Sequence, residues 1–304
     1  AMYEIPIVYA GNKYARPQIE ELLGEQFALQ IVDNIRPTLE IENPEPARSA
    51  VHQLFMEHVM SHAPGYDKLM KWTPVPIMPT PAGEGAMFRT FAQDQKANLI
   101  GVGLGGATTN VYSHYDNMFV RSVSANLGMS YSICNVLKET GLENIMRWIP
   151  FNIEERDLRN SLLNKMIRPT TIPPDFKSLI VEQAVAREAM RLAFEAHKSL
   201  ATPLRGMKRE KDISQLGRRM VEMGPETYID MLRVDMLIGS GGVNAHAPRR
   251  VQAASMIIDA FQPEGLTKLV IDSIFMMPHL GVLSKVNPDA AINVLEKDCL
   301  VKIG

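Results

Sequence analysis

The sequence predicts an α/β protein in two lobes, an incomplete one over residues 1–80 and a larger one over 81–304. Three observations lead there. At roughly 150 residues per domain, 304 residues make about two lobes. Apolar runs of strand length alternate with stretches of helical period at both ends of the chain. A Pro-rich connector, "TPVPIMPTP" over 73–81, falls between the two parts.

Each element follows from local pattern. Ile5 to Tyr9 is a short apolar run closed by Ala10, Gly11 and Asn12, and Pro17 then stands where the first turn of a helix tolerates a missing N–H. A second strand covers 27–32. After Asn43 and Pro44 comes a helix with Ala47, Ala50, Val51, Leu54, Phe55 and Val59 on one face. Beyond the connector, Pro81 opens a helix reaching about Asp94. The string "ANLIGVGLGGATTNVYSHYDNMFVRSV" alternates as a three-stranded meander over 98–104, 108–114 and 118–123, with turns at Gly105/Gly106 and Asp116/Asn117. Its first tip is glycine-rich and expected to be exposed. From about 130 to 234 the period turns helical: Asn152 is placed to cap a helix carrying Leu158, Leu162, Leu163 and Met166, and a longer helix from about Asp175 carries Ile180, Ala184, Val185, Ala189, Leu192 and Phe194. This helical insert is expected to stand off the sheet. "DMLIGSGGVN" then returns to a strand and a glycine turn, Pro248 opens a helix, and the tail alternates strand and helix to Gly304.

Composition narrows the function classes. Hydrophobic residues make up 46% and charged residues 22%, the balance of a globular chain rather than a disordered or fibrous one. A formal net charge of −2 gives the surface as a whole no drive toward nucleic acid or an anionic membrane. The two cysteines, Cys134 and Cys299, lie outside any CxxC or Cys/His spacing, which argues against zinc and disulfide frameworks and fits a reducing, cytoplasmic compartment. No apolar run reaches the roughly 18 to 20 residues of a membrane span, and no signal peptide opens the chain.

The sharpest constellation is Gly105, Gly106, Ala107, Thr108 and Thr109 between two strands. Glycines let backbone N–H groups turn inward toward phosphate oxygens, and two hydroxyls add donors, making an anion nest. Taken alone, the string suits a tight hairpin without a ligand equally well. A second turn, Gly239, Ser240, Gly241 and Gly242, follows an apolar strand and precedes a helix, an arrangement that brings backbone amides against a nucleotide, although a bare "GSGG" also suits a flexible loop. His58 and His62, four apart, carry Val59 where a metalloprotease needs a glutamate. The basic stretch from Arg205 to Arg219 reads as a solvated helix end, and the 19 methionines mainly as core filler. Ser132 and Cys134 have no base nearby in sequence.

Read together, these strings resemble a family. "MPTPAGEGAMFRTFAQ", "LIGVGLGGATTNVYS", "RSVSANLGMSYS", the helical insert and "DMLIGSGG" resemble the second half of an actin-like ATPase of the sugar-kinase and heat-shock-chaperone type. Within that superfamily "GGATT" followed by "VYS", "LGMSYS", the opening "PIVYAGN" and the closing "DCLVKIG" resemble the glutamate mutase MutL family, and the likeness covers nearly the whole chain. It implies a ribonuclease-H-type lobe with a helical insert, and a chaperone-like accessory or reactivating factor for an adenosylcobalamin-dependent mutase or aminomutase. A cobalamin-dependent mutase subunit is the implied partner, with no nucleic acid or membrane, and oligomer formation is left open. ATP or ADP is the implied ligand, with Gly105 to Thr109 as the second phosphate loop and Gly239 to Gly242 as the adenosine loop.

The chain departs from that pattern where charge matters. The family carries an aspartate two residues before the double glycine and another after the double threonine, and this chain has Gly103 and Asn110. It also has Asn126 where an acidic residue precedes "LGM". Neither glycine nor an amide holds Mg²⁺ or orients an attacking water as an anion does. The first phosphate loop has no counterpart, since Met2 begins partway through the first lobe, and this leaves open whether the chain is part of a longer one. The sequence therefore predicts nucleotide binding with impaired hydrolysis and no assigned catalytic residue. The alternatives are a non-hydrolysing pseudo-ATPase interaction module and, third, a small-molecule kinase of the same superfamily.

Overall fold

The structure is a computed structural model that describes residues 5–38, 41–75, 77–202 and 227–304. It divides into two compact units, one drawn from Ala1–Ile77 and the other from Met78–Thr202 and Gly224–Gly304.

The first unit contains β1 (Pro6–Tyr9), α1 (Arg16–Leu23), β2 (Ala28–Ile31), α2 (Glu45–His58) and α3 (Tyr66–Met70). Pro17 lies in the first turn of α1, where no intrahelical bond is lost. The crossover through α1 makes β1 and β2 parallel, paired from Pro6↔Ala28 to Tyr9↔Ile31. On the apolar side of α2, Ala50 is buried while Val51, Phe55 and the following Val59 are exposed.

The second unit begins with α4 (Thr80–Gln95) and is built on one mixed sheet. The meander forms as β3 (Leu99–Leu104), β4 (Thr109–Tyr115) and β5 (Met118–Ser124), all antiparallel. Asp116 and Asn117 take the left-handed conformations, φ 45° and 65°, of a two-residue hairpin. Helices α5 (Ile133–Thr140), α6 (Leu142–Met146), α7 (Glu155–Ile167) and α8 (Phe176–Leu200) follow. The chain then adds β6 (Met236–Ser240), α9 (Gly242–Ala245), α10 (Arg250–Phe261), β7 (Lys268–Asp272), α11 (Met277–Leu283), α12 (Pro288–Val294) and β8 (Leu300–Lys302). Strand order is β5-β4-β3-β6-β7-β8, with β3, β6 and β7 parallel and β8 antiparallel to β7.

Alternation along the strands gives each face its own core. Ile100, Val102 and Leu104 pack with Val185, Ala189 and Ile257 on one side, and Leu99 and Ile238 pack with Phe88, Phe91 and Leu280 on the other. The helical insert does not stand off the sheet as its sequence suggested. Its helices share the first of these cores, and α8 is bolted to β4 and β5 by His197, whose Nδ1 lies 2.7 Å from Ser122 Oγ and Nε2 2.8 Å from Ser113 Oγ. Burial pushes His197 down to about 4, so the ring is neutral at pH 7 and offers one donor and one acceptor to the two hydroxyls. Asn152 is not a cap: α7 begins at Glu155 with Glu154 in the capping position. Asp175 does cap α8, its carboxylate accepting from Ser178 N at 2.9 Å. The last part of the predicted insert, 203–226, lies outside the described residues. Among those described, no helix is long and apolar enough to cross a membrane.

Candidate functional site

The two glycine turns leave the same edge of the sheet side by side. Gly103 on β3 pairs with Ser240 on β6, so Gly105 and Gly241 each begin just past adjacent strand ends. Gly241 has φ +92°, and a Cβ there would lie inside van der Waals contact with the Leu104 carbonyl, so only glycine lets the second turn pass this close to the first.

The first turn is held through its carbonyls. Met129 N donates to Gly105 O at 3.0 Å, Ser130 N to Gly106 O at 2.8 Å, and Ser132 Oγ to Ala107 O, while Thr109 Oγ1 donates to Leu127 O at 2.6 Å. The "LGMSYS" string therefore braces the turn from behind. Among the described residues the N–H groups of Gly106, Ala107 and Thr108 make no hydrogen bond, leaving three consecutive donors for an anion. Thr108 is half-buried and Ala107 exposed, so the turn reaches solvent.

Beside both turns opens a cavity of about 1100 Å³. Met129 and Ser130 bring it to the first turn, Gly242 and Val243 to the second, and Ile172, Phe176 and Ile180 from the insert with Val251 from α10 supply apolar walls. Lys165 and Glu182, paired at 2.7 Å, also line it. Gln183 is 2% exposed, its Oε1 accepts from Gln252 Nε2 at 3.3 Å, and its Nε2 has no partner, an open donor for a ring nitrogen or carbonyl.

One rung below the turns lies a buried polar cluster that the sequence did not reveal. Glu84 of α4 is 2% exposed and fills the space over Gly103: a Cβ on residue 103 would lie 2.6 Å from Glu84 Cδ and Oε1, and nearer still to Oε2. Tyr112 OH donates to Glu84 Oε2 at 2.8 Å, and Oε1 has no partner. Asn110, paired with Gly103 across β4, is buried with its Oδ1 also unpartnered. Burial raises Glu84 to about 7; the Tyr112 hydrogen bond and the nearby Ser240 and Asn110 side chains oppose the rise, and the Asp272 charge adds to it. Asp272, fully buried at the end of β7, accepts from Met276 N and Met277 N at 3.1 and 2.8 Å. The available signals were a lone acid among buried Gly83, Gly85, Met87 and Phe88 of α4, and an acid ending the apolar run of β7.

Asp116 pairs with Arg233 at 2.9 Å in the β4–β5 turn, at the opposite end of β4. Cys299 is buried with its thiol pushed up to about 11, and Cys134 is raised by the same cause, so neither is an activated nucleophile. His58 and His62 are exposed, and among the described residues no group of three or more His, Cys, Asp or Glu is placed to hold a metal. Asn126 is exposed, and the basic stretch 205–219 lies outside the described residues.

Comparison with known proteins adds two findings. A family model described as MutL protein matches residues 1–299. Protein MutL of Clostridium tetanomorphum is 27% identical over 331 residues, an alignment covering 99% of this chain and 67% of that protein.

Proposed function

The chain belongs to the MutL family, and from that membership we propose a nucleotide-binding accessory protein of an adenosylcobalamin-dependent mutase, glutamate mutase being the first candidate, acting as a reactivating chaperone. The observation that carries the nucleotide part is the adjacency of the two glycine turns, one with three free N–H groups, beside a cavity large enough for a base and ribose. An actin-like unit of ribonuclease-H type is supported by the strand order, three antiparallel strands followed by two parallel ones reached through helices. In this reading Gly105 to Thr109 take the phosphates, Gly241 and Gly242 flank the sugar, and Gln183 meets an acceptor of ATP or ADP.

Hydrolysis is slow in the same reading. Asn110 stands where a carboxylate would orient the attacking water, and a neutral amide does not accept its proton. That residue also favours the second reading, a pseudo-ATPase that binds nucleotide only to set its affinity for a partner. Calorimetric titration with ATP and ADP, with and without Mg²⁺, together with phosphate release on the same preparation, tests both. Binding with slow or absent release is expected; no binding of either nucleotide overturns the site, and rapid release overturns the account of Asn110. Recovery of an inactivated mutase holoenzyme on adding this chain and ATP tests the chaperone role.

A further inference from the structure

We propose that Gln183 reads the base of the bound nucleotide through one bare ring nitrogen, and that Gln252 is the positioning residue that fixes the Gln183 amide for this task. The identity of the ligand rests on the nucleotide reading above; the orientation of the amide does not.

A relay of three groups fixes which end of each amide points where. Arg249 N is a backbone N–H and can only donate, so Gln252 must turn its Oε1 toward it, and the two lie 3.0 Å apart. Gln252 Nε2 is thereby left toward α8, where it donates to Gln183 Oε1 at 3.3 Å. The Gln183 amide keeps Nε2 for the cavity that both glutamines line, and among the described residues this nitrogen has no partner, in a side chain 2% exposed. Two further bonds steady the crossing of α8 and α10: Arg187 Nε donates to Asp259 Oδ2 at 2.7 Å, and Arg187 Nη1 to the Gln183 carbonyl at 3.0 Å. A buried donor without an acceptor costs free energy until a ligand supplies one, so this point of the cavity favours a lone pair and disfavours an N–H. Adenine carries no carbonyl and its exocyclic amine donates, so the acceptor it can offer is a ring nitrogen. Reversal of the relay would present Gln183 Oε1 instead, and the preference would reverse with it.

The probes are ADP and its 1-deaza, 3-deaza and 7-deaza analogues, each with a C–H in place of one ring nitrogen, titrated calorimetrically into the full chain. The wild type is expected to bind one of the three about tenfold more weakly than ADP, because that analogue leaves Gln183 Nε2 buried and unpaired. Gln183→Met, close in volume and without a donor, is expected to lose that penalty. Gln252→Glu keeps one oxygen on Arg249 N and turns a second toward Gln183, which must then donate to it and aim Oε1 at the ligand; the penalised analogue is expected to bind this variant at least as tightly as ADP does. A change that only loosened the fold would weaken all four ligands alike and leave their order unchanged. Thermal melts show that each variant titrated is folded, and the comparison of wild type with Gln183→Met stands without Gln252→Glu. Equal wild-type affinity for all four ligands overturns the proposal while leaving the nucleotide site in place, as does a penalty that persists in Gln183→Met. A wild-type order retained in folded Gln252→Glu overturns the positioning role of Gln252. No binding of ADP overturns the nucleotide reading and the proposal with it.

Discussion

The tightest consequence of the Glu84 arrangement concerns a single methyl group. Gly103→Ala places a carbon 2.6 Å from Glu84 Cδ and Oε1, well inside contact distance. Glu84 has little room to withdraw. Its Oε2 is tied to Tyr112 OH at 2.8 Å, and α4 is pressed onto α11 where Gly83 meets the Pro278 carbonyl. Overpacking of this kind costs about 1–3 kcal/mol. In a Glu84→Ala background the same space is vacated, so the added methyl fills a void and the cost disappears. The coupling between the two substitutions is therefore expected to be about 1–3 kcal/mol, the range found for residues in direct contact. Urea unfolding of the wild type, both single variants and the double variant at pH 6 measures it. An equal cost of Gly103→Ala in both backgrounds would show that the carboxyl does not occupy the slot. By the same geometry, Gly103→Asp in the native chain sets a second carboxyl against Glu84, and it is tolerated only once Glu84 is shortened.

Four further outcomes are expected. Glu84 rises from 4.5 to about 7, so the folded chain holds this proton more tightly than the unfolded one; the contribution is full below pH 4.5 and is lost as pH rises through 7, about 3 kcal/mol in all. Glu84→Gln, facing the same Tyr112, Asn110, Ser240 and Asp272, removes that slope in denaturant unfolding between pH 5 and 8, and an unchanged slope contradicts the burial argument. His197 behaves oppositely: lowered from 6.5 to about 4, it contributes stability above pH 6.5 that is lost as pH falls through 4, again about 3 kcal/mol, and His197→Gln flattens melting temperature over that interval. Glu188, fully buried, accepts from Thr140, Arg147, Trp148 and Arg191, so Glu188→Ala is expected to cost about 3 kcal/mol in urea unfolding. Gly241→Ala forces a side chain into φ +92° against Leu104, costing about 1–3 kcal/mol of backbone strain, and lowers ADP affinity in calorimetry.

The second unit was legible where local pattern suffices. The meander was readable because 98–123 alternates with period two and Asp116/Asn117 suits a two-residue turn. Two sites were not legible for a shared reason, that what decides them is a crossing rather than a run. Glu84 sits in a helix and reads as a solvent-facing acid until α4 is laid over a strand residue with no Cβ. Asn152 has capping chemistry, yet the helix waits until Glu155. The packing of α8 onto β4 and β5 depended on His197 finding Ser113 and Ser122, polar groups that no apolar period marks. Adjacency of the two glycine turns followed from family likeness, since spacing along the chain carries no distance in space.

The parallel pairing of β3 with β6 also sets an order of events in folding. Asn98 N and Asp235 Oδ2, bonded at 2.8 Å beside this pairing, are 137 positions apart, whereas β3, β4 and β5 close through turns of a few residues. Loop closure over short spans is fast and cheap in entropy, so the meander forms early and presents a first turn with no neighbour. The pairing of β6 with β3 spans far more of the chain than these turns and is expected to come later. A chain released from the ribosome before residue 236 thus carries a formed hairpin whose first turn lacks the neighbour that Gly241 brings against Leu104.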